Sequence, residues 1–242
     1  MDRDELKLTF EEKSHSKVMR AITQSLSDTP LVLKGGTALL FGYGLDRFSE
    51  DLDFDSSKKI SLESRIQRCL PYGVEIKALG IVKNTDTMTR YRLAYVDGSV
   101  ESKLKIEVSY RSPVMPSEVS LIDGMRILSV SRLLDHKIAA AHDGEKPRTK
   151  IRDLYDLDFI VSKYPENISA EQLHRLKKFS MSPDVLMASY RDAYQFESLV
   201  QRRVALDDLV LRFCGRIDDL SKVTNLQDQD STAHWIDSSP SP

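Results

Sequence analysis

LVLKGGTALLFGYGLDRFSEDLDFD, residues 31–55, contains the change of period that decides the fold. Leu31-Val32-Leu33 follows Pro30 as a short, wholly apolar run and reads as a buried strand. The run stops at Lys34-Gly35-Gly36-Thr37, and Ala38 to Tyr43 reads as a short helix. Asp51 to Asp55 then alternates acid with apolar residue, the period of a strand that buries one face. Asp51 and Asp53 leave that strand on one side, Leu52 and Phe54 on the other. Asp55 continues the acidic side and reads as a bystander.

Two carboxylates held side by side repel unless a positive charge lies between them. A divalent cation resolves the repulsion, and hard oxygen donors suit magnesium. A second strand-like run adds a third acid. Leu104, Ile106, Val108 and Tyr110 make its apolar side, while Lys105, Glu107 and Ser109 make its polar side. Three carboxylates from two strands can hold two magnesium ions. Gly35-Gly36 lets the backbone approach a ligand closely, and the helix start that follows offers free N–H groups to phosphate. Each feature also has a plain reading when taken alone: an acidic solvent face, a surface Glu, a simple turn.

Working outward, residues 2–28 read as a helix with Leu6, Phe10, Val18, Ile22 and Leu26 along one stripe. Residues 59–70 suit a second helix. Strands are expected near 73–82, 89–97 and 103–110, with Asp97-Gly98 turning between the last two. After Pro113 and Pro116 the pattern becomes helical, over 130–143, 149–163, 169–179, 182–196 and 199–221. Ser169 with Gln172 resembles a capping box, and Ser182-Pro183 suits a helix start. The expected fold class is α+β: a mixed-sheet core over 1–120 and a helical bundle over 121–224. A tail over 225–242, rich in Asp, Ser, Gln and Pro, is expected to be disordered.

Composition narrows the class. The chain has 242 residues, 40% hydrophobic and 30% charged, which is ordinary for a globular protein that buries a core without staples. Cys69 and Cys214 form no disulfide framework, and the five histidines (15, 136, 142, 174 and 234) show no zinc spacing. The start, MDRDELKLTFEEKS, lacks a signal-peptide pattern, and no apolar run is long enough for a membrane helix. A cytoplasmic location with no membrane partner is expected. The net charge of −2 is unevenly spread. Residues 46–55 hold five acids and one base, and residues 146–152 hold four bases and no acid. The second stretch is compatible with a phosphate backbone.

With the glycine turn, the short helix and the Asp-x-Asp strand in this order, residues 31–55 resemble the first motif of the DNA polymerase β-like nucleotidyltransferases. More narrowly they resemble the AbiEii/AbiGii branch, the toxins of type IV toxin–antitoxin systems, to which the MenT toxins belong. That branch has an Arg and a Ser or Thr just before its paired aspartates, here Arg47, Ser49, Asp51 and Asp53. Its later carboxylate is often Asp, so Glu107 is a conservative departure. SRLLDHKIAAAHD and then KPRTKIRDLYDLDFI resemble its later motifs: a helix with one inward Lys, then an Arg-Asp-x-x-Asp helix. The resemblance spans about residues 30–160.

The resemblance implies transfer of a nucleoside monophosphate from an NTP, in a cleft between the two parts. Asp51, Asp53 and Glu107 would hold two Mg2+ ions. Lys34, Gly35, Gly36, Thr37, Arg47 and Ser49 would form the nucleotide loop. Lys137 would reach the triphosphate, Asp153 would orient the acceptor or order Lys137, with Asp156 behind, and Arg148 and Arg152 would clamp phosphate or support these acids. On their own residues, Lys137 also reads as a side chain snorkelling from an apolar stripe and Arg148 as part of a surface charge ladder. By family analogy the acceptor is the 3′ end of tRNA, and an antitoxin is the expected partner. A protein or small-molecule hydroxyl, or a non-catalytic binding module on the same fold, stays open.

Overall fold

The computed structural model describes residues 7–111, 113–143 and 147–236, with side chains described as far as residue 223. The chain divides into two units, one ending at Leu133 and the other beginning at Leu134.

The first unit is built on a seven-stranded mixed sheet. In chain order its strands are β1 (Val32–Lys34), β2 (Leu52–Asp55), β3 (Val74–Asn84), β4 (Met88–Asp97), β5 (Val100–Ser109), β6 (Val119–Ile122) and β7 (Met125–Leu128). Across the sheet they lie in the order β3-β4-β5-β2-β1-β7-β6. The β2–β5 and β1–β7 pairs are parallel, and the other neighbours are antiparallel. The first helices are α1 (Phe10–Ser25), α2 (Gly35–Tyr43) and α3 (Glu63–Cys69).

The alternation in residues 51–55 does what it predicts. Leu52 and Phe54 stand opposite Ile106 and Val108, and all four are buried. Each contributes roughly 1.5–3 kcal/mol by leaving water. Their apolar side fixes the register, because a slip of one residue would bury the acids instead.

α1 is shorter than the helix expected over 2–28. Thr9 caps it, accepting from the Glu12 N–H, while the Glu12 carboxylate accepts from the Thr9 N–H. Phe10, expected on the buried stripe, is instead exposed at this first turn, whereas Val18, Ile22 and Leu26 are buried. Leu6 lies outside the described residues. Residues 119–128, which straddle the expected boundary between the mixed-sheet core and the helical bundle, form β6 and β7. Leu33 pairs with Ile127 there, so these strands complete the sheet beyond β1 and place residues 121–133 in the first unit.

The second unit is helical. α4 (Val130–Ile138) crosses the division and passes into one wider turn, Ala139–Asp143. α5 (Ile151–Lys163), α6 (Ala170–Phe179), α7 (Pro183–Gln195), α8 (Ser198–Gln201) and α9 (Leu206–Ile236) follow. Ser169 and Gln172 form the expected capping box. α9 packs against α5, α6 and α7, burying Leu209, Val210, Phe213 and Ile217. The single helix expected over 199–221 is broken between Gln201 and Leu206. The tail expected to be disordered falls partly on α9, whose backbone continues to Ile236 with no Gly or Pro after Gly215 to stop it. The rest of that tail, 237–242, lies outside the described residues. Among the described residues no helix is long and apolar enough to cross a membrane.

Candidate active site

The glycine turn and the acidic strand meet because β1 and β2 run antiparallel side by side, with Lys34 opposite Asp53. α2 starts at Gly35, whose φ of +74° is in the left-handed region that an L side chain avoids. The turn also needs room. A Cβ on Gly35 would lie 3.3 Å from Asp53 Oδ2. One on Gly36 would lie 2.8 Å from Arg47 Nη2 and 3.1 Å from Ser49 Oγ.

Behind the turn, Thr37, Arg47 and Ser49 are buried. Thr37 Oγ1 is 2.9 Å from Ser49 Oγ and donates to the Asp51 carbonyl. Arg47 Nη1 donates to the Phe48 carbonyl. These three therefore hold the glycine turn and the start of β2 in one rigid piece. Their hydroxyls and guanidinium bond to the chain itself, and the start of α2 adds the N–H groups of the turn beside them.

On the next strand Glu107 stands opposite Asp53. The two carboxylates share the sheet side away from the Leu52–Phe54 core. Burial pushes the Asp53 carboxyl above its ordinary range; Lys105 and Lys34 oppose this while Asp51 and Glu107 add to it. The neighbouring acids each have a cation. Lys105 Nζ lies 2.7 Å from Asp51 Oδ2, and Arg90 Nη2 lies 2.8 Å from Glu107 Oε2. Burial works against charge on Lys105, but the bond and field of Asp51 outweigh it and raise its ammonium above the usual value. Lys34 binds Asp55, which is buried with its other oxygen, Oδ2, unbonded. Asp55 is thus the anchor of Lys34 rather than a bystander.

Three carboxylates are the right donors for magnesium by chemistry. With Asp51 turned to Lys105 and Glu107 to Arg90, no group of three His, Cys, Asp or Glu side chains stands arranged as a ligand set among the described residues. The donors fit a divalent cation that would take over the charge now supplied by these two bases.

In the helical unit a second group of predicted residues comes together. Lys137, from α4, lies 2.7 Å from Asp153 Oδ1 and also binds Asp156 Oδ2; both acids lie on one side of α5. Arg148 Nε is 2.9 Å from Asp153 Oδ2. All but Arg148 are buried. Burial opposes charge on Asp153, yet Lys137 and Arg148 hold its carboxyl below the usual range. Lys137 is therefore an inward, ion-paired residue and not a snorkelling one. Arg152, expected beside this cluster, is turned to Glu197. The hydroxyl of Tyr190 is buried without a hydrogen bond, and burial followed by the field of Asp153 raises its pKa.

Lys105 and Arg90 were not singled out from sequence, although the alternation of β5 already puts Lys105 beside Glu107 on the polar side. Arg90 needed the β4–β5 register, which brings it opposite Glu107.

Comparison with known proteins decides the family. Residues 17–210 match the family described as nucleotidyl transferase AbiEii toxin, type IV toxin–antitoxin system. The chain belongs to the AbiEii nucleotidyltransferase family. It is 40% identical to JHP933 from Helicobacter pylori, with a TM-score of 0.91, over 95% of this chain and 100% of that one. It is 41% identical to an H. pylori protein assigned as a nucleotidyltransferase, with a TM-score of 0.87, over 90% of this chain and 99% of that one. No curated protein matches it. As an AbiEii nucleotidyltransferase it takes an NTP as substrate and has an antitoxin as its family's partner.

Proposed function

We propose that this AbiEii protein transfers a nucleoside monophosphate from an NTP to the 3′ end of tRNA, with pyrophosphate leaving, and that this arrests translation. The observation that carries the reading is the meeting of Asp53 with both Glu107 and the Gly35-Gly36 turn. It puts backbone donors for phosphate within ångströms of a carboxylate pair.

In this reading the N–H groups at the start of α2 bind the triphosphate. Thr37, Arg47 and Ser49 keep that turn rigid, so little order has to be gained on binding. The acceptor oxygen attacks the α-phosphorus, and the bond from that phosphorus to the pyrophosphate oxygen breaks. Asp51, Asp53 and Glu107 would hold Mg2+, two ions being the expected number. Bound there, the metal would neutralise charge on the transferring phosphoryl group and ease loss of the acceptor proton. Lys105 and Arg90 hold Asp51 and Glu107 until then. Lys137, fixed by Asp153 and Asp156, is proposed to add positive charge toward the triphosphate.

The test is incubation of the protein with each α-labelled NTP, Mg2+ and total RNA, with products resolved by size. Label in a tRNA-sized band supports the acceptor. Label in protein or in a small molecule moves the acceptor while leaving the transferase chemistry in place.

A further inference from the structure

One side of the β3–β4–β5 sheet extends the acidic site into a basic strip. On β4 that side carries Arg90, Arg92 and Ala94; on β5 it carries Glu107, Lys105 and Lys103. Opposite the first three on β3 are Lys83, Gly80 and Ala78. Apart from Glu107, at the end beside Asp53, every residue of this nine-position array is basic or small.

Two features of the strip work against stability. Lys83 stands opposite Arg90, and Arg92 stands opposite Lys105. Like charges directly opposed in a sheet repel. Arg90 and Lys105 are offset by Glu107 and Asp51. Lys83, Arg92 and Lys103 are exposed and bind no carboxylate among the described residues. A lysine on the edge strand β3 is explained by the need to discourage edge-to-edge pairing. That explanation does not reach Arg92 on β4 or Lys103 on β5, which are inner strands.

No bulky side chain stands between the cations, since the strip's remaining positions are Ala78, Gly80 and Ala94. It has no aromatic or large aliphatic anchor, which a protein partner would need at the centre of its contact. Neighbouring cations are spaced by about 4.8 Å across strands and about 6.8 Å along them. Such an array suits a repeating anion, met through its backbone and not through its bases.

We infer that this strip, with Lys83, Arg92 and Lys103 as its free cations, is the track on which the phosphate backbone of an RNA acceptor lies as its end reaches Asp53 and Glu107. The inference rests on the RNA-acceptor reading above. It adds where that RNA binds and that its binding is indifferent to base sequence.

The experiment uses the full chain, with Lys83→Gln, Arg92→Gln and Lys103→Gln combined, and the last two also made singly. Binding of fluorescein-labelled total tRNA is followed by anisotropy across a series of KCl concentrations. Binding of a fluorescent ATP analogue and the rate of label transfer to RNA are measured in parallel. The thermal midpoint checks the fold; the triple variant relieves two repulsive pairs and should melt no lower than the unaltered protein. The triple variant should bind tRNA at least about tenfold more weakly at low salt, with the slope of log affinity against log salt smaller by about 2, from about 0.7 for each of three phosphates lost. Each single variant should lose a share of that effect, and ATP-analogue binding should stay unchanged. Equal tRNA affinity and slope in the triple variant would overturn the inference, as would equal loss of ATP-analogue binding, which would assign the strip to the triphosphate. If RNA is labelled at the same rate by the triple variant, the strip is not the track but RNA transfer stands. If the unaltered protein neither binds nor labels RNA, both fall together.

Discussion

Asp53 and Glu107 face each other from neighbouring parallel strands, and a Cβ on Gly35 would come within 3.3 Å of the Asp53 carboxylate. The acid pair and the glycine turn are thus one construction, set by the β1–β2 and β2–β5 registers. Asp53→Ala should abolish transfer, measured as pyrophosphate release, without lowering the thermal midpoint. The native state holds this half-buried carboxyl beside two other acids, at a cost to stability. Its removal should leave the midpoint equal or higher. Residual release within about tenfold of the unaltered rate would remove Asp53 from the reaction.

Gly35 and Gly36 should fail differently. Gly35→Ala imposes a strained left-handed residue, costing on the order of 1–2 kcal/mol in chemical denaturation. Gly36→Ala keeps an ordinary backbone but pushes on Arg47 and Ser49. It should raise KM for NTP more than it lowers the unfolding free energy. Unchanged kinetics in both variants would mean that the turn does not hold the triphosphate.

Lys137 sits buried between Asp153 and Asp156, so Lys137→Ala leaves two buried carboxylates without their shared cation. It should destabilise the fold by about 3–5 kcal/mol in urea unfolding. Adding Asp153→Asn and Asp156→Asn should recover much of that loss. If Lys137 also acts on the nucleotide, the recovered triple variant will still transfer at least about 10²-fold more slowly. A triple variant with normal kinetics would leave Lys137 a purely structural role.

Much of this was legible in residues 31–55. The strand, turn, helix and strand followed from period alone, and the side of Asp53 followed from Leu52 and Phe54. The polar side of β5 was legible too, and with it Lys105. Partnerships were not legible. That Lys34 goes to Asp55 and Arg90 to Glu107 depends on strand order, which no local pattern encodes. β6 and β7 were missed because each has four residues and lies between prolines and a helix, too short to show a period. Arg152 was misdirected by its neighbours: its sequence places it beside Asp153, but its partner Glu197 is on a distant loop.

Acid should expose the Asp153 cluster. The folded state holds that carboxyl below its ordinary value, so its stabilising contribution is complete above the unfolded value near 3.8 and is lost as pH falls through the depressed folded value. Unfolding free energy measured from pH 6 downward should therefore fall less steeply in Asp153→Asn below about pH 4. Parallel curves for the two proteins would show that Asp153 titrates normally.

As a member of a toxin family, the protein should arrest growth when expressed alone, and Asp53→Ala should relieve the arrest. Growth curves with each form under one inducible promoter check this. Equal arrest by the two forms would separate toxicity from the carboxylates.

The most direct measurement is incorporation of α-labelled nucleotide into tRNA, run with Mg2+ beside an Asp53→Ala control. The account predicts label at the tRNA 3′ end, stoichiometric pyrophosphate, and neither product from the Asp53→Ala protein. A folded protein that releases no pyrophosphate from any NTP in the presence of tRNA, or an Asp53→Ala variant that labels tRNA as well as the unaltered chain, would contradict it.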